Sequence, residues 1–368
     1  MLGWRAALYL EKGHVFVGKG FGAKTLRGGE AIFNTGLSGY QEVFTDPSYR
    51  RQIVVMTVSH LGNTGINLED MESDKVYLEA VVARSYTTVP SSWRSKMTLD
   101  AFLEKSNVPG ISDVDTRYLT QILRDEGAQR GVVFPIDTLD LEAVAKQGKE
   151  KLASVPVMEG LELVSDVSCK TPYWFNESAS AKNGTIVAYD FGVKANILRH
   201  YANKGFRVRV VPYNYTAADL RKENPRAIVL SNGPGDPGEV KETVAEIQTV
   251  VGEIPIFAVC MGHQLLARAL GASTYKLKFG HHGCNHPVQD LRTKKVLITS
   301  QNHGFSVKGD ELKGDGLAVT HLSLNDNTVE GFASTRLKLA SVQFHPEAAP
   351  GPKEAQHLFE DFIRGHVR

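Results

Sequence analysis

Residues 255–272 read PIFAVCMGHQLLARALGA. An apolar run ends at Cys260, Met261 and Gly262 follow, and HQLLARAL opens with the apolar spacing of a helix. A strand that turns sharply into a helix needs small neighbours at the corner, and the residue held there stands exposed for chemistry. Free N–H groups and the helix dipole at such a corner favour a thiolate over a thiol. Taken alone, Cys260 reads more readily as a small hydrophobe packed beneath a helix than as a nucleophile, because free cysteines are commonly buried. The surrounding sequence has to decide.

Upstream of this stretch the pattern alternates. TIVAYDF (185–191) reads as a buried strand, VKANILRHYANKG (193–205) as a helix closed by Gly205, and RVRVVPY (207–213) as a second strand. A short helix over TAADLRKE (216–223) leads to AIVLS (227–231), the turn NGPGDPGEV (232–240), a helix over 239–252 and the strand PIFAV. Strands alternating with helices on short connections specify a doubly wound, mostly parallel α/β sheet with helices on both faces. Ligands of such sheets gather at the carboxyl ends of the strands, where NGPGDP and Cys260 both lie. The first half differs. ALYLEKGHVFVGKG (7–20) and GGEAIFNTGLSGYQEVFTDPSYRRQIVVMTV (28–58) are short, turn-bounded runs that favour β structure. DVDTRYLTQILRDEGA (113–128) predicts a helix capped by Asp115 or Thr116, with Leu119, Ile122 and Leu123 as its apolar stripe and Gly127 at its end. We therefore expect a separate β-rich α/β domain over residues 1–152, a linker over 153–183 that carries Pro156, Pro172 and the polar cluster NESASAKNG, and the doubly wound domain over 184–368.

Composition bounds the function. The 368 residues carry a formal net charge of +1 with 42% hydrophobic and 23% charged residues, so no basic excess points to nucleic acid. No apolar stretch is long enough to span a bilayer, and MLGWRAALYLEKGH acquires charges too early for a secretory segment. Three cysteines, Cys169, Cys260 and Cys284, are too few for a disulfide framework. The expectation is a protein of a reducing, cytoplasmic compartment, in which the Asn-x-Ser/Thr triplets at Asn176, Asn183 and Asn214 carry no glycan.

A second motif bears on Cys260. LASVQFHPEAAPGP (339–352) is an apolar run ending in His345-Pro346-Glu347. Pro346 biases His345 towards an extended conformation, in which residues two apart project to one face. Glu347 can then fix the tautomer of His345 and stabilise its imidazolium, while the other ring nitrogen addresses Cys260. The backbone N–H of Met261, with a second donor from the Gly233-Pro234-Gly235 turn, could form an oxyanion hole.

A cysteine elbow followed by His-Pro-Glu resembles the class I glutamine amidotransferase domain, over residues 185–368. VAYDFGVKANILR (187–199), LSNGPGDP (230–237), KFGHHGCNHPV (278–288) and SQNHGFSV (300–307) are similar to the small subunits of carbamoyl phosphate synthetases. So are GEAIFNTGLSGYQEVFTDPSYRRQIV (29–54) and GISDVDTRYLTQILRDEGA (110–128) in the first half, which generic amidotransferases lack. The resemblance implies hydrolysis of L-glutamine through a glutamyl thioester, and an internal tunnel that carries ammonia to a large synthetase subunit. That partner combines ammonia with bicarbonate using MgATP. The partner is implied as a heterodimer or a higher assembly, with no cofactor in this chain. Carried over by motif, Cys260 is the nucleophile, His345 the base and acid, and Glu347 its orienter. Ser48, Gly233, Gly235, Met261, Gln264, Asn302, Gly304 and Phe305 are the implied glutamine contacts, with Ser48 reaching across from the first domain.

Two positions depart from the family pattern: Ala258 stands where these elbows usually carry Gly, and Cys284 where a Gly or Ala is usual. The run His281-His282-Gly283-Cys284-Asn285-His286 holds zinc-ligand types, but without two separated pairs we expect no metal there. GKGFGAKT (18–25) imitates a phosphate-binding loop, yet Ala23 replaces its second Gly and a strand pattern follows where a helix should open. A free-standing γ-glutamyl hydrolase would need no first domain, and a non-catalytic scaffold would not need the complete Cys260, His345 and Glu347 set. The chain ends soon after a C-terminal helix, so the synthetase is expected on a separate subunit, serving arginine or pyrimidine synthesis.

Overall fold

The computed structural model describes residues 4–176 and 182–367; residues 177–181 of the polar cluster expected in the linker lie outside the described residues. The chain divides into two units, one of residues up to Met158 with Lys278–His282, the other of Glu159–Leu277 with Gly283–Arg368.

The β-rich reading of the first half becomes a closed barrel. Its strands follow in the order Arg5–Leu10, Val15–Gly22, Pro109–Ser112, Ala80–Val82, Gln52–Met56, Arg27–Asn34 and Gln129–Ile136, the last pairing with the first. The alternating run ALYLEKGHVFV forms the antiparallel pair that opens the chain, whereas the pairs joining 27–34, 52–56, 80–82 and 109–112 are parallel. Parallel neighbours require crossovers, and the segments between them hold the helices Tyr40–Thr45 and Leu99–Lys105. One face of the barrel strands, through Leu8, Ile53, Val55, Val82, Ile111 and Val133, packs with Leu119, Ile122 and Leu123 of helix Thr116–Glu126. Asp115 caps that helix by accepting the Tyr118 N–H, and Gly127 ends it at φ 97°. Residues 18–22 of the phosphate-loop imitation lie inside strand Val15–Gly22, and the next element is strand Arg27–Asn34 rather than a helix.

The second unit is built on a sheet in the order Val296–Val307, Thr274–Asp290, Ala318–Ser323, Val329–Ser334, Leu339–Val342, Ile256–Val259, Ala227–Leu230, Thr185–Asp190, Arg207–Pro212 and Tyr173–Trp174. From Leu339–Val342 to Arg207–Pro212 every pair is parallel, and antiparallel strands extend both edges. Along the chain the five parallel strands take the spatial order 2-1-3-4-5. The order reverses beside Thr185–Asp190, so the carboxyl ends of 185–190 and 227–230 flank a natural binding crevice. Of the stretch expected as a linker, Val164–Val167 is helical and Tyr173–Trp174 pairs with Arg207–Pro212 as an edge strand.

Strand alternation assigns the two helical layers. Ile186, Ala188, Val229, Phe257 and Val259 meet Ile197, Tyr201, Phe359 and Phe362 of helices Ala195–Asn203 and His357–His366. Val187, Tyr189, Leu230, Ile256 and Ala258 meet Leu220, Ile247, Leu265 and Leu266 of helices Ala217–Lys222, Lys241–Val250 and Met261–Ala269. The methyl of Ala258 thus lies inside a packed layer. Among the described residues no helix is long and apolar enough to cross a membrane. Phe359 touches the rings of Phe257, Tyr201 and His200 and is buried. Phe359→Ala should therefore destabilise the protein by about 3–5 kcal/mol, read as a lower denaturant midpoint.

Candidate active site

Strand Ile256–Val259 ends directly in helix Met261–Ala269, and Cys260 absorbs the whole change of direction at φ 54°, ψ −108°. A left-handed φ on a residue with a Cβ costs on the order of 1–3 kcal/mol and persists only where the surroundings enforce it. Here the backbone does so: Cys260 N–H donates to Val342 O at 2.9 Å, and Gly262 N–H donates to Ser231 O at 2.8 Å. A Cβ on Gly262 would lie 2.2 Å from the Leu230 carbonyl oxygen, so glycine alone lets the helix start this close to the neighbouring strand. Met261 is the first residue of the helix, and its amide belongs to the turn whose N–H groups have no intrahelical acceptor.

The turn after strand Ala227–Leu230 is held as tightly. Asn232 is fully buried, donates through Nδ2 to Gly192 O at 2.9 Å and accepts the Lys194 N–H at 3.0 Å. A Cβ on Gly233 would meet the Phe191 carbonyl oxygen at 2.1 Å, and Gly235 takes φ +91°. These clamps join the carboxyl ends of two neighbouring parallel strands around one point.

His345 arrives from strand Leu339–Val342 and is anchored by its N–H, which donates to Ser300 O at 2.9 Å. Its Nδ1 lies 2.7 Å from Glu347 Oε1. A carboxylate only accepts, so Nδ1 carries the proton and Nε2 is left for chemistry. The local route differs from the extended chain expected. Pro346 and Glu347 form a turn closed by Ala348 N–H donating to His345 O at 3.2 Å, because proline presets the backbone angle of a turn's second residue.

Sequence reasoning missed Lys194. It precedes helix Ala195–Asn203, is buried, and donates from Nζ to Glu347 Oε1 at 2.8 Å and to Ala348 O at 2.7 Å. A lysine set between apolar FGV and ANIL at a strand's carboxyl end was the available signal. Its ammonium explains how a fully buried carboxylate stays ionised. Burial raises the Glu347 pKa, but Lys194 and then His345 outweigh it and hold the group well below its ordinary range, at about 2. Burial likewise lowers His345, and Lys194 opposes its charge, yet Glu347 and the nearby Cys260 prevail and raise it to about 10. Among the described residues Nε2 of His345 has no hydrogen-bond partner. The structure therefore brings Cys260, His345 and Glu347 together with an imidazolium favoured between the other two.

Of the remaining expected residues of this unit, Asn302 meets the nucleophile and Gln264 meets Phe305. Cys260 Sγ donates to Asn302 O at 3.5 Å, Gln264 Nε2 to Phe305 O at 2.8 Å, and the Lys276 ammonium sits 5.0 Å from the Phe305 ring centre. Gly304 lies between Asn302 and Phe305 on strand Val296–Val307. Ser48 belongs to the first unit, in a short turn where Asp46 Oδ1 accepts its N–H at 2.9 Å. Of the zinc-like run, Cys284 Sγ lies 3.8 Å from Ser300 Oγ, and the His282 carbonyl accepts the Thr35 N–H at 3.1 Å.

Two outcomes follow from these charges. Lys194→Met strands a buried carboxylate, so it should lower the unfolding free energy by about 3–5 kcal/mol in urea titration. His345, with its pKa raised, stabilises the fold fully below about pH 6.5 and loses that contribution as pH climbs towards about 10. Glu347, with its pKa lowered, contributes above about pH 4.5 and loses its share as pH falls towards about 2. Stability against pH should thus peak between these limits, and His345→Asn should flatten the alkaline side.

Comparison with known proteins extends the picture over the whole chain. A family model described as class I glutamine amidotransferase matches residues 187–364, and one described as the carbamoyl-phosphate synthase small chain, CPSase domain, matches residues 8–133. The chain is 46% identical over 370 residues to the carbamoyl phosphate synthase small chain of Syntrophotalea carbinolica, covering 97% of this chain and 96% of that one. It is 47% identical over 377 residues to the small chain of Nitratidesulfovibrio vulgaris, covering 99% and 98%. Identity to the pyrimidine-specific small chain of Bacillus subtilis is 45% over 356 residues, covering 97% and 94%. With a barrel unit and an amidotransferase unit both matched, and identity at this level along nearly its full length, the chain belongs to the carbamoyl phosphate synthase small chain family.

Proposed function

We propose that this chain hydrolyses L-glutamine at Cys260 and delivers the ammonia to a large synthetase subunit that makes carbamoyl phosphate. The observation that carries the reading is the buried series Cys260, His345, Glu347 and Lys194 at the carboxyl ends of parallel strands. Cys260 Sγ attacks the amide carbon as a thiolate while its proton resides on His345 Nε2. The tetrahedral oxyanion accepts from the Met261 N–H and from the Gly233–Gly235 turn. As the carbon–nitrogen bond breaks, His345 gives its proton to the leaving nitrogen, and ammonia departs from a γ-glutamyl thioester. Water then attacks the thioester, its proton passes to Nε2, and collapse releases glutamate and restores the thiolate. Throughout, Nδ1–H stays on Glu347, which Lys194 keeps charged.

Gln264, Asn302, Gly304 and Phe305 line the amino-acid site, with Ser48 added by the family resemblance. The barrel unit serves docking to the large subunit, in a heterodimer or a higher assembly of the cytoplasm. MgATP is consumed by that partner, and this chain needs no cofactor or metal of its own.

Glutamate release from L-glutamine, by the chain alone and with a synthetase subunit, ATP and bicarbonate, tests the reading. Slow turnover alone should rise strongly in the complex and fall to background in Cys260→Ser. Fast turnover indifferent to the partner would instead mark a free-standing hydrolase, and no turnover in either setting would leave a scaffold.

A further inference from the structure

Gln264 stands one helical turn beyond the nucleophile, its backbone N–H donating to Cys260 O at 3.2 Å. Its side-chain Nε2 donates twice, to Phe305 O at 2.8 Å and to Gln343 Oε1 at 3.0 Å. A backbone carbonyl can only accept, so the atom facing Phe305 is the nitrogen, and the carboxamide has one orientation. Gln343 takes the second amide proton. It is fully buried, and its own N–H donates to Glu330 O at 2.9 Å, so its position is set by the strand rather than by solvent. With both protons of Gln264 engaged, Oε1 is the polar atom it has left to offer. Among the described residues no donor reaches that oxygen, nor does it count among the buried atoms left without a partner.

Gln343 keeps this arrangement at a cost. Its Nε2 is buried with no partner, an arrangement native proteins rarely tolerate without a reason. An apolar side chain of similar shape would avoid the orphan donor, but would leave Gln264 free to turn.

We infer that Gln343 is a positioning residue for substrate recognition: it locks Gln264 with Oε1 outward, to accept from the α-ammonium group of the bound amino acid. The spacing fits. The α-nitrogen of glutamine lies four bonds from the amide carbon, roughly 5 Å in an extended chain, and one helical turn separates Gln264 from Cys260 by roughly 5.4 Å. An outward amide nitrogen would repel the ammonium, so the orientation of one carboxamide decides whether the site prefers an amide that carries that group. The inference rests on the glutaminase reading and adds to it the basis of selection.

The test measures ammonia release by the full chain from L-glutamine and from glutaramate, its analogue without the amino group. Wild type, Gln343→Met and Gln343→Glu are compared, with Cys260→Ser as control and a melting curve for each. Gln343→Met should raise KM for L-glutamine about tenfold, the loss of one charge-assisted hydrogen bond, with kcat little changed. Activity on glutaramate should hardly move, so the preference shrinks by the same factor. Gln343→Glu keeps the acceptor and should keep the preference. A folded Gln343→Met with unchanged KM and preference would overturn the inference. So would an equal fall in kcat for both substrates, or a folded Gln343→Glu that loses the preference; the Glu variant decides alone if the Met variant does not fold. Absence of release by wild type, or release that persists in Cys260→Ser, would remove the glutaminase reading and this inference with it, a result distinct from all the others.

Discussion

A buried ammonium, Lys194 Nζ, is shared between the carboxylate of Glu347 and the carbonyl of Ala348. Without a cation the Glu347 carboxyl would be pushed towards its neutral form by burial, and a neutral acid could not hold an imidazolium. His345 would then titrate as its own burial dictates, downwards. The charge states of the site therefore depend on a lysine bonded to Glu347 rather than on the histidine alone. Lys194 also holds a difficult piece of backbone, since Ala348 and Ala349 both take left-handed φ values, 58° and 55°. The Ala348 carbonyl to which it donates belongs to the turn that carries Glu347. Electrostatics and backbone geometry are thus secured by the same group.

Around that group the unit uses one device repeatedly. Glycine at Gly233 and Gly262 allows a turn to approach a neighbouring carbonyl more closely than any side chain would permit. Buried amides and hydroxyls at Asn232 and Ser231 then tie the turns to one another: Asn232 bonds Gly192 and Lys194, while Ser231 Oγ accepts the Phe191 N–H at 3.0 Å and its carbonyl accepts the Gly262 N–H. Loops at strand ends are ordinarily the mobile parts of an α/β domain. Here these hydrogen bonds tie them to one another and to the strand ends, as preorganised stabilisation of an oxyanion would require.

The parallel sheet, its helices and the elbow at Cys260 were legible because each is a local pattern: an apolar run, a 3.6-residue stripe, a glycine in a turn. The helix at Thr116–Glu126 was readable to its cap for the same reason. Other features were not. The expectation that His345 and Glu347 share one face of an extended chain led to the right pairing by the wrong backbone, since only the closed turn at Pro346 places Nδ1 against Oε1. Lys194 offered its apolar flanks as its one signal of burial, because a lone cation carries no sign of the partner it will meet 153 positions later. The closure of the first half into a barrel was equally hidden, as strand order depends on pairings between runs far apart in the chain.

The amino-acid sequence by itself determined the candidate nucleophile and its His-Glu partners, the alternating strands and helices upstream of Cys260, and the glycines of the turns beside them, since these follow from side-chain type and short-range spacing. Tertiary structure alone decided the protonation of His345, the ionisation of a buried Glu347 and the single orientation of the Gln264 carboxamide. Each of those depends on groups brought within hydrogen-bonding distance by the folded sheet, and at that range burial and neighbouring charge, not sequence proximity, set the energies.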